Sequence, residues 1–468
     1  MIGIKGVGMT MLAQLLSQRG VTVSGSDGPD SFMTDQVLRR AGIKVFSGFD
    51  ASHIPSDAEA IIYSTAYLPE TNVELAAALA GPVPIHNYAE ALGQVFSSFK
   101  QGIAVCGSHG KTTVSAWLGY VLDRAGLSPS VLVGARVPQL GGSSLAGHSD
   151  IIVAEADEYQ DKLRFLSPQG ILLTNIDYDH PDYYKTEKSY YDAFARFITR
   201  LPKNGWLAFD GDDKLSLRVA LDCPGRAIGC FLRLEGKESG NFSKQSLIAH
   251  SYGRRGARQY FSINDWGRFS ISLIGIHNVK DALLVVAAAK ELGVPIEDIR
   301  LRLAAFKGTA RRAQLLGKYG KALIYDDYGH HPTEVKATIK AFRDYFPDRR
   351  LRVLFHPHTF SRTKALFKDF VTSFADCDSL AILEIYGSAR EKSGGIGSQD
   401  LLAAIKEYNL ASSRRQSLKY LSDLTAAQQY FAKDLRPDDV LLLLGAGDVF
   451  RVGEGLLKQK GNDKKKKI

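Results

Sequence analysis

The sequence predicts an α/β protein of three domains, and three observations favour this fold class. The length of 468 residues suits about three domains of ordinary size. Apolar, strand-like runs alternate with helix-like patterns, which is typical of a parallel sheet wound with helices. Glycine-rich or polar clusters directly follow several of these runs. Since ligands gather at the carboxyl ends of strands in such sheets, these clusters mark candidate sites.

The first segment, 1–99, is predicted to be a Rossmann-like domain. Its opening residues, Gly3-Ile4-Lys5-Gly6-Val7-Gly8, match GxxGxG and precede apolar residues at helical spacing. A strand is predicted at 21–23, and Asp27 after it is placed to accept a hydrogen bond from a ribose hydroxyl. An apolar run at 60–63 leads into Ser64. Taken alone, the glycine turn also fits a nicotinamide-dependent oxidoreductase or a purely structural turn.

The second segment, 100–308, is predicted to be a P-loop ATPase-like domain. A strand at 103–106 runs into Gly107-Ser108-His109-Gly110-Lys111-Thr112-Thr113, and a helix is predicted at 114–125. Small residues let backbone amides approach a phosphate, and the helix N-terminus favours negative charge. Lys111 would neutralise the β- and γ-phosphates, and the Thr112 hydroxyl would bind Mg²⁺. The usual pattern lacks its first glycine, because Val105 stands there.

Two further strands of this segment, at 151–154 and 170–174, end in polar residues. Glu155 follows the first, and His180 belongs to the cluster after the second. A strand-end carboxylate near a triphosphate suits Mg²⁺, which takes oxygen ligands. A surface acid and a structural histidine are the alternatives for these two residues. The stretch 222–269 is polar and irregular, and it predicts hairpins and loops.

The third segment, 309–468, is predicted to be a second Rossmann-like domain, with strands at 322–325, 352–355, 380–385 and 440–444. Asp327 and Tyr328 lie in a cluster of acids and histidines directly after the first of these strands. Arg362 follows the second, and its planar fork would suit a carboxylate. Arg311-Arg312 at the junction fits either a hinge salt bridge or a phosphate contact.

Composition excludes several classes of protein. No apolar run approaches the roughly 18 to 20 residues that cross a membrane. The four cysteines show no zinc-like spacing, which suits thiols in the reducing cytoplasm. The net charge of +9 includes a terminal lysine run at 464–467, and no interleaved aromatic and basic motif supports nucleic-acid binding.

In order along the chain, these motifs resemble those of the Mur ligases, the ATP-dependent amino-acid ligases of peptidoglycan synthesis. The resemblance covers almost the whole sequence, and the ordered set is highly specific. Its motifs are GIKGVGM, SGSD, GSHGKTT, EADE, TNIDYDH, GIHN, ARR, YDDYGHHPTE, HPHTFSRT, GSARE and GAGD.

The resemblance implies a role for each domain. The N-terminal domain would bind the UDP part of a substrate through Gly6, Gly8, Asp27 and Ser64. The central domain would hold ATP through Gly107, Ser108, His109, Gly110, Lys111, Thr112, Thr113, Asn278 and Arg312. Mg²⁺ would lie at Thr112, Glu155 and His180, and Tyr328 and Arg362 would seat the amino acid. Catalysis is implied for Lys111, Glu155, His180, Arg312 and Asp327.

The implied reaction joins L-alanine to UDP-N-acetylmuramate through an acyl phosphate, in a cytoplasmic monomer or weak homodimer without nucleic-acid or membrane partners. The rival within the family is the ligase that recycles murein tripeptide, which Tyr159 after Glu158 favours. Pro168 follows too soon for the longer insertion usual in that ligase. A nicotinamide-dependent oxidoreductase and a non-catalytic nucleotide-binding regulator are the rivals from other classes.

Overall fold

A computed structural model of the chain describes residues 1–32, 34–234, 246–387 and 395–465. Residues 388–391 of the GSARE motif and the last lysines of the terminal run lie outside the described residues. Within the described part, each of the three predicted segments builds its own mixed α/β layer. No helix in these ranges is long and apolar enough to cross a membrane.

In its described residues, the N-terminal domain contains two short parallel strand pairs, four α-helices and a 3-10 turn at Ala51–His53. Ile2 forms parallel bridges to both Ser26 and Tyr63, so it joins the two pairs into one layer. The strands are β1 (Ser24–Asp27), β2 (Lys44–Ser47), β3 (Ile61–Tyr63) and β4 (Ile85–Asn87). The helices are α1 (Val7–Gln18), α2 (Asp35–Arg40), α3 (Val73–Ala80) and α4 (Tyr88–Ser97).

The predicted strand at 21–23 is wrong by three residues. The Val21 amide donates to the Leu16 carbonyl at 3.0 Å, so this stretch closes the end of α1. The extended chain begins only at Ser24.

The central domain is built on one ten-stranded sheet. Its strands are β5 (Gln101–Cys106), β6 (Ser130–Val137), β7 (Gly142–Leu145), β8 (Ile151–Glu155), β9 (Gly170–Leu173), β10 (Trp206–Asp210), β11 (Arg226–Leu232), β12 (Ser246–Arg255), β13 (Arg258–Ile263) and β14 (Arg268–Ile271). Their order is β14-β13-β12-β11-β10-β9-β5-β8-β6-β7. The helices are α5 (Lys111–Arg124), α6 (Glu187–Ile198), α7 (Lys214–Ala220), α8 (His277–Glu291) and α9 (Ile296–Ala305). Since β5 lies between β8 and β9, the loops that follow all three strands meet at one edge.

The prediction of only hairpins and loops for 222–269 is partly wrong. Strands β12, β13 and β14 do form antiparallel hairpins. Strand β11, however, extends the parallel part of the sheet beside β10. Its residues after Arg226 are all buried, so it shows no alternation of polar and apolar side chains that would mark it as a strand.

The C-terminal domain carries a six-stranded sheet in the order β15-β16-β20-β17-β18-β19. The strands are β15 (Gln314–Tyr319), β16 (Ala322–Asp327), β17 (Arg350–Phe355), β18 (Ser379–Leu383), β19 (Ser417–Leu421) and β20 (Asp439–Leu444). The helices are α10 (Pro332–Tyr345), α11 (Phe360–Ala365), α12 (Phe367–Ser373), α13 (Ser398–Ala411), α14 (Leu424–Asp434) and α15 (Phe450–Lys465). All four predicted strands are present here, although β18 ends before 384–385.

Helices pack on both faces of the central sheet and bury its apolar side chains. Helices α5 and α8 lie side by side on one face, and each buries eleven residues. Trp117 of α5 is fully buried and stacks on Phe306 at 5.2 Å. A large aromatic side chain contributes several kcal/mol through burial, so α5 is held rigidly at the position of the phosphate loop.

Candidate active site

The predicted phosphate loop has the conformation that its glycines allow. β5 ends at Cys106, and α5 begins at Lys111. Gly107 and Gly110 adopt φ values of +126° and +85°, a region that disfavours residues with a Cβ. A Cβ on Gly107 would also lie 2.2 Å from the Thr174 hydroxyl oxygen. The loop therefore presents its backbone amides at the start of a helix, where an anion binds well.

Lys111 lies folded back over this loop. Its Nζ donates to the Ser108 carbonyl at 3.2 Å and forms an ion pair with Glu158 at 2.9 Å. Tyr190 donates its hydroxyl to the other oxygen of Glu158 at 2.8 Å. Burial alone would lower the pKa of Lys111, but Glu158 and neighbouring acids raise it above its ordinary value. Lys111 is thus a fixed positive charge beside the loop.

Two of the predicted metal ligands are direct neighbours. The Thr112 hydroxyl donates to one oxygen of Glu155 at 2.8 Å, and the Gly134 amide donates to the other at 2.6 Å. Hydroxyl and carboxylate oxygens are the ligands that Mg²⁺ prefers. The donor set therefore fits this ion at the first turn of α5.

His180 lies in a different group of side chains. Its Nε2 is 3.8 Å from Glu158 and 3.8 Å from Asp179, and its ring packs on Tyr159. The described contacts thus place His180 with Asp157 and Glu158, whereas Thr112 and Glu155 form a pair of their own. His180 also has φ +57°, an uncommon conformation that its neighbours must hold in place.

A cavity of about 840 Å³ lies between the central and C-terminal domains and begins at the phosphate loop. This volume is within the usual range for a small-molecule site. Several predicted ATP-binding residues line it, namely His109, Gly110, Thr113, Asn278 and Arg312. The structure therefore brings residues far apart in the sequence around one space next to the loop.

The C-terminal domain contributes Arg312 and Asp327 to this cavity. The Arg312 guanidinium lies 3.6 Å from Glu334 and over the ring of Tyr328. Asp327 accepts hydrogen bonds from the backbone amides of Ala313 at 2.7 Å and Gly329 at 2.8 Å. Although these amides and Arg312 favour its charged form, burial is the larger effect and raises the pKa of Asp327.

The two arginines at the junction have separate roles. Arg311 is buried, pairs with Asp326 at 3.2 Å and donates to the carbonyls of Gly445 and Gly447. It therefore ties β16 to the loop after β20. Arg312 turns towards the cavity, so it is the member of the pair that suits a phosphate.

Arg362, predicted to bind the amino acid, is paired with a carboxylate of the protein. Its Nε and one Nη donate to the two oxygens of Asp179 at 2.9 and 3.2 Å, across the domain boundary. The other Nη lies 3.4 Å from His358. In this arrangement a substrate carboxylate reaches Arg362 only by sharing or replacing Asp179.

The predicted UDP-binding residues cluster at the carboxyl ends of β1 and β3. Asp27 is buried and accepts bonds from the Lys5 amide, the Gly28 amide and the Tyr67 hydroxyl at 2.7 to 2.8 Å. Both of its oxygens thus have protein partners that shape the glycine turn, in addition to any role towards a ribose. Ser64 lies beside the same turn, within 2.9 Å of a Cβ built on Gly3.

Gly6 and Gly8 flank the start of α1. Gly6 is the residue at which this helix is capped. A Cβ on Gly8 would lie 2.7 Å from the ring of Tyr88 at the start of α4, so any larger residue here would displace that ring.

Sequence reasoning missed an acidic group on the central wall of the cavity. Lys280 bridges Asp210 at 3.0 Å and Asp212 at 3.2 Å, and Asp281 faces the loop beneath Gly110. Burial raises the pKa of Asp281 to about 8, with a contribution from Asp210. The available signal was the apolar run of β10, which ends at Asp210 in the same way that β8 ends at Glu155.

Comparison with protein families finds Mur ligase domains along nearly the whole chain. Residues 1–100 match the Mur ligase family catalytic domain, 105–289 the Mur ligase middle domain, and 311–447 the Mur ligase glutamate ligase domain. These matches follow one another in the order of the three α/β layers.

Curated relatives and solved structures agree with the family matches. The chain is 36% identical over 464 residues to the UDP-N-acetylmuramate–L-alanine ligase of Desulfitobacterium hafniense, covering 97% of this chain and 98% of the relative. It is 34% identical to the ligase of the same name from Aquifex aeolicus, covering 98% and 96%. The crystal structure of UDP-N-acetylmuramate-alanine ligase from Thermotoga maritima superposes with a TM-score of 0.80 at 22% identity, covering 99% and 98%. A murein peptide ligase from Psychrobacter arcticus gives 0.71 at 22% identity, covering 98% of each chain.

Proposed function

The chain belongs to the Mur ligase family, and from this premise we propose that it joins L-alanine to UDP-N-acetylmuramate at the expense of ATP. The observation that carries the proposal is the sequence identity of 36%, over 97% of the chain, to a relative of that name. The site supports it independently, because a phosphate loop and a second domain with an arginine face one cavity. These features suit activation of a carboxylate by phosphoryl transfer and do not suit hydride transfer.

The proposed reaction has two steps. An oxygen of the lactyl carboxylate of the sugar attacks the γ-phosphorus of ATP, the bond to the β-phosphate oxygen breaks, and ADP leaves. The amine of alanine then attacks the carbonyl carbon of the acyl phosphate, loses a proton, and inorganic phosphate leaves. A free carboxylate is a poor acylating group, so activation must precede amide formation.

Side chains of the phosphate loop, of the strand ends beside it and of the adjoining cavity would supply binding and charge for these steps. Lys111 and Arg312 would offset the negative charge that develops on the transferred phosphoryl group. Mg²⁺ held by Thr112 and Glu155 would neutralise phosphate oxygens. His180, the third predicted ligand, lies in the separate group with Asp157 and Glu158 and would have to reach the ion from there. Asp327, which lines the same cavity as Arg312, would act near the phosphates. The C-terminal domain would keep water from the acyl phosphate while it is closed.

The remaining assignments complete the proposal. Gly6, Gly8, Asp27 and Ser64 would bind the UDP part, and Tyr328 and Arg362 would seat alanine. The domain boundaries are proposed at 99/100 and 308/309, close to the limits of the family matches. The protein is proposed to act in the cytoplasm as a monomer or weak homodimer.

An amino-acid panel tests the proposal. Purified protein with ATP, Mg²⁺ and UDP-N-acetylmuramate should release ADP most efficiently with L-alanine, and less with glycine or L-serine. Murein tripeptide should give no stimulation over the reaction without an acceptor. Turnover with the tripeptide and none with alanine would show that the substrate assignment is wrong.

A further inference from the structure

A second cluster of metal-binding side chains lies where the central and C-terminal domains meet. Among the described residues, His109, Asp177 and His331 place one donor atom each within 4.8 Å of one another. His109 Nε2 is 2.9 Å and His331 Nδ1 is 3.5 Å from the same oxygen of Asp177. A tetrahedral ion with bonds of 2.0 to 2.1 Å would hold its ligand atoms roughly 3.3 Å apart, so small side-chain movements suffice.

Both histidines are oriented as metal ligands usually are. His109 turns its other nitrogen, Nδ1, towards Glu334 at 3.3 Å. His331 turns Nε2 towards the Tyr178 carbonyl at 3.1 Å. Metal-binding histidines characteristically donate their second ring nitrogen to a carboxylate or backbone carbonyl, because this bond fixes the tautomer and the ring orientation. The inner nitrogens, His109 Nε2 and His331 Nδ1, are the ones that face Asp177. His109 Nε2 donates to the Asp177 carboxylate at 2.9 Å, so a bound ion would take the place of this proton.

The chemistry of the three donors favours a transition metal such as Zn²⁺ over Mg²⁺. Two imidazoles and one carboxylate suit Zn²⁺, whereas Mg²⁺ prefers a shell of oxygens. Asp177 is partly exposed on the cavity, which leaves room for a fourth ligand from solvent. The Thr333 amide also approaches His331 Nδ1 at 3.3 Å, so an ion would displace this bond.

We propose that His109, Asp177 and His331 form a Zn²⁺ site that ties the C-terminal domain to the phosphate loop. His109 belongs to that loop, Asp177 follows β9, and His331 caps α10 of the other domain. An ion bound to all three joins the two domains through coordinate bonds. Zn²⁺ at this place therefore holds the domains together and restrains the loop, independently of which substrates the protein uses.

Equilibrium dialysis of the full-length protein against zinc sulfate, with metal counted by mass spectrometry, tests the site. The wild type is expected to bind one tight Zn²⁺ per chain. His331→Asn keeps a good helix cap but removes the imidazole, so it should weaken this binding by about 100-fold or more. His180→Asn, which alters the other histidine group, should leave the affinity unchanged.

X-ray absorption at the zinc edge of the wild-type protein provides a test that needs no variant. Two imidazole nitrogens at about 2.0 to 2.1 Å are expected in the first shell. Absence of a stoichiometric ion, fewer than two imidazoles, or loss of binding in His180→Asn with retention in His331→Asn would each overturn the proposal.

Discussion

Replacing Asp281 with asparagine is expected to stabilise the central domain near neutral pH. Asp281 is 9% exposed, on α8 directly below the phosphate loop. Because burial and the nearby Asp210 raise its pKa to about 8, the folded protein keeps a proton on Asp281 where the unfolded chain has lost it. Keeping this proton at neutral pH costs free energy of folding. Asparagine has nearly the same shape and is neutral without a proton, so the variant avoids this cost.

The size of the effect follows from the two pKa values. The ordinary pKa of an aspartate is 3.8, whereas that of Asp281 in the folded protein is about 8. Below about pH 4 the carboxyl is protonated in both states and burial carries no penalty; as the pH rises from about 4 to about 8, the wild type progressively loses stability. At pH 7 about three pH units of this range are crossed, which at 1.36 kcal/mol per unit sets an upper limit of about 4 kcal/mol. We expect a gain of about 2 kcal/mol at pH 7 and less than about 1 kcal/mol at pH 5.

Tryptophan fluorescence is a specific probe for this measurement. All three tryptophans, Trp117, Trp206 and Trp266, lie in the central part of the sequence, so their emission follows that domain. Urea unfolding at pH 5, 6, 7 and 8 gives the free energy of unfolding of each variant. Asp222→Asn, at an exposed position, is the control for loss of one negative charge.

The pH dependence of the difference is the decisive result. The free energy of unfolding of Asp281→Asn should exceed that of the wild type by an amount that grows from pH 5 to pH 8. For Asp222→Asn, the difference from the wild type should stay the same at every pH. A constant difference at every pH, or destabilisation at pH 8, would refute the argument that Asp281 is held protonated.

Three further outcomes are expected. Lys111→Arg should still pair with Glu158 and keep the fluorescence-detected unfolding midpoint, but should lower ADP release by about 100-fold or more, because the charge is displaced; full activity would contradict its role. Thr112→Val should raise the Mg²⁺ concentration for half-maximal ADP release by about 10-fold, since one oxygen ligand is lost, and an unchanged requirement would exclude it as a ligand. Asp179→Asn should leave Arg362 buried without its partner and loosen the domain contact. Limited proteolysis should then cut near the 308/309 boundary faster than in the wild type, and equal rates would argue against the contact.

The phosphate loop was predictable because its determinants are local. The end of β5, the glycines at 107 and 110 and the first turn of α5 are consecutive in the sequence. Each of them restricts the backbone on its own, through burial, positive φ or helix geometry. The predicted strand, glycine turn and helix are therefore all present although Val105 replaces the first glycine of the pattern. The ordered motifs around the loop were sufficient to indicate the family.

The partners of distant residues were not predictable in the same way. Arg362 and Asp179 are 183 positions apart, and only the packing of two domains brings them together. A sequence pattern showed that Arg362 suits a carboxylate, but not that the protein supplies one. Similarly, α8 places Asp281 under the phosphate loop through its packing against α5, which no local spacing reveals.

Three polar contacts between the central and C-terminal domains converge on the loops that follow β5 and β9, whereas Arg254 of β12 reaches the Asp344 carbonyl elsewhere. Arg362 binds Asp179, His331 reaches the Tyr178 carbonyl, and Glu334 approaches His109. Within the described residues, the buried apolar cluster of the C-terminal sheet receives one central residue, Ile274. Polar interfaces of this kind favour relative domain movement. Since the loop after β5 is also the proposed phosphate loop, substitutions there should change nucleotide binding and domain closure together.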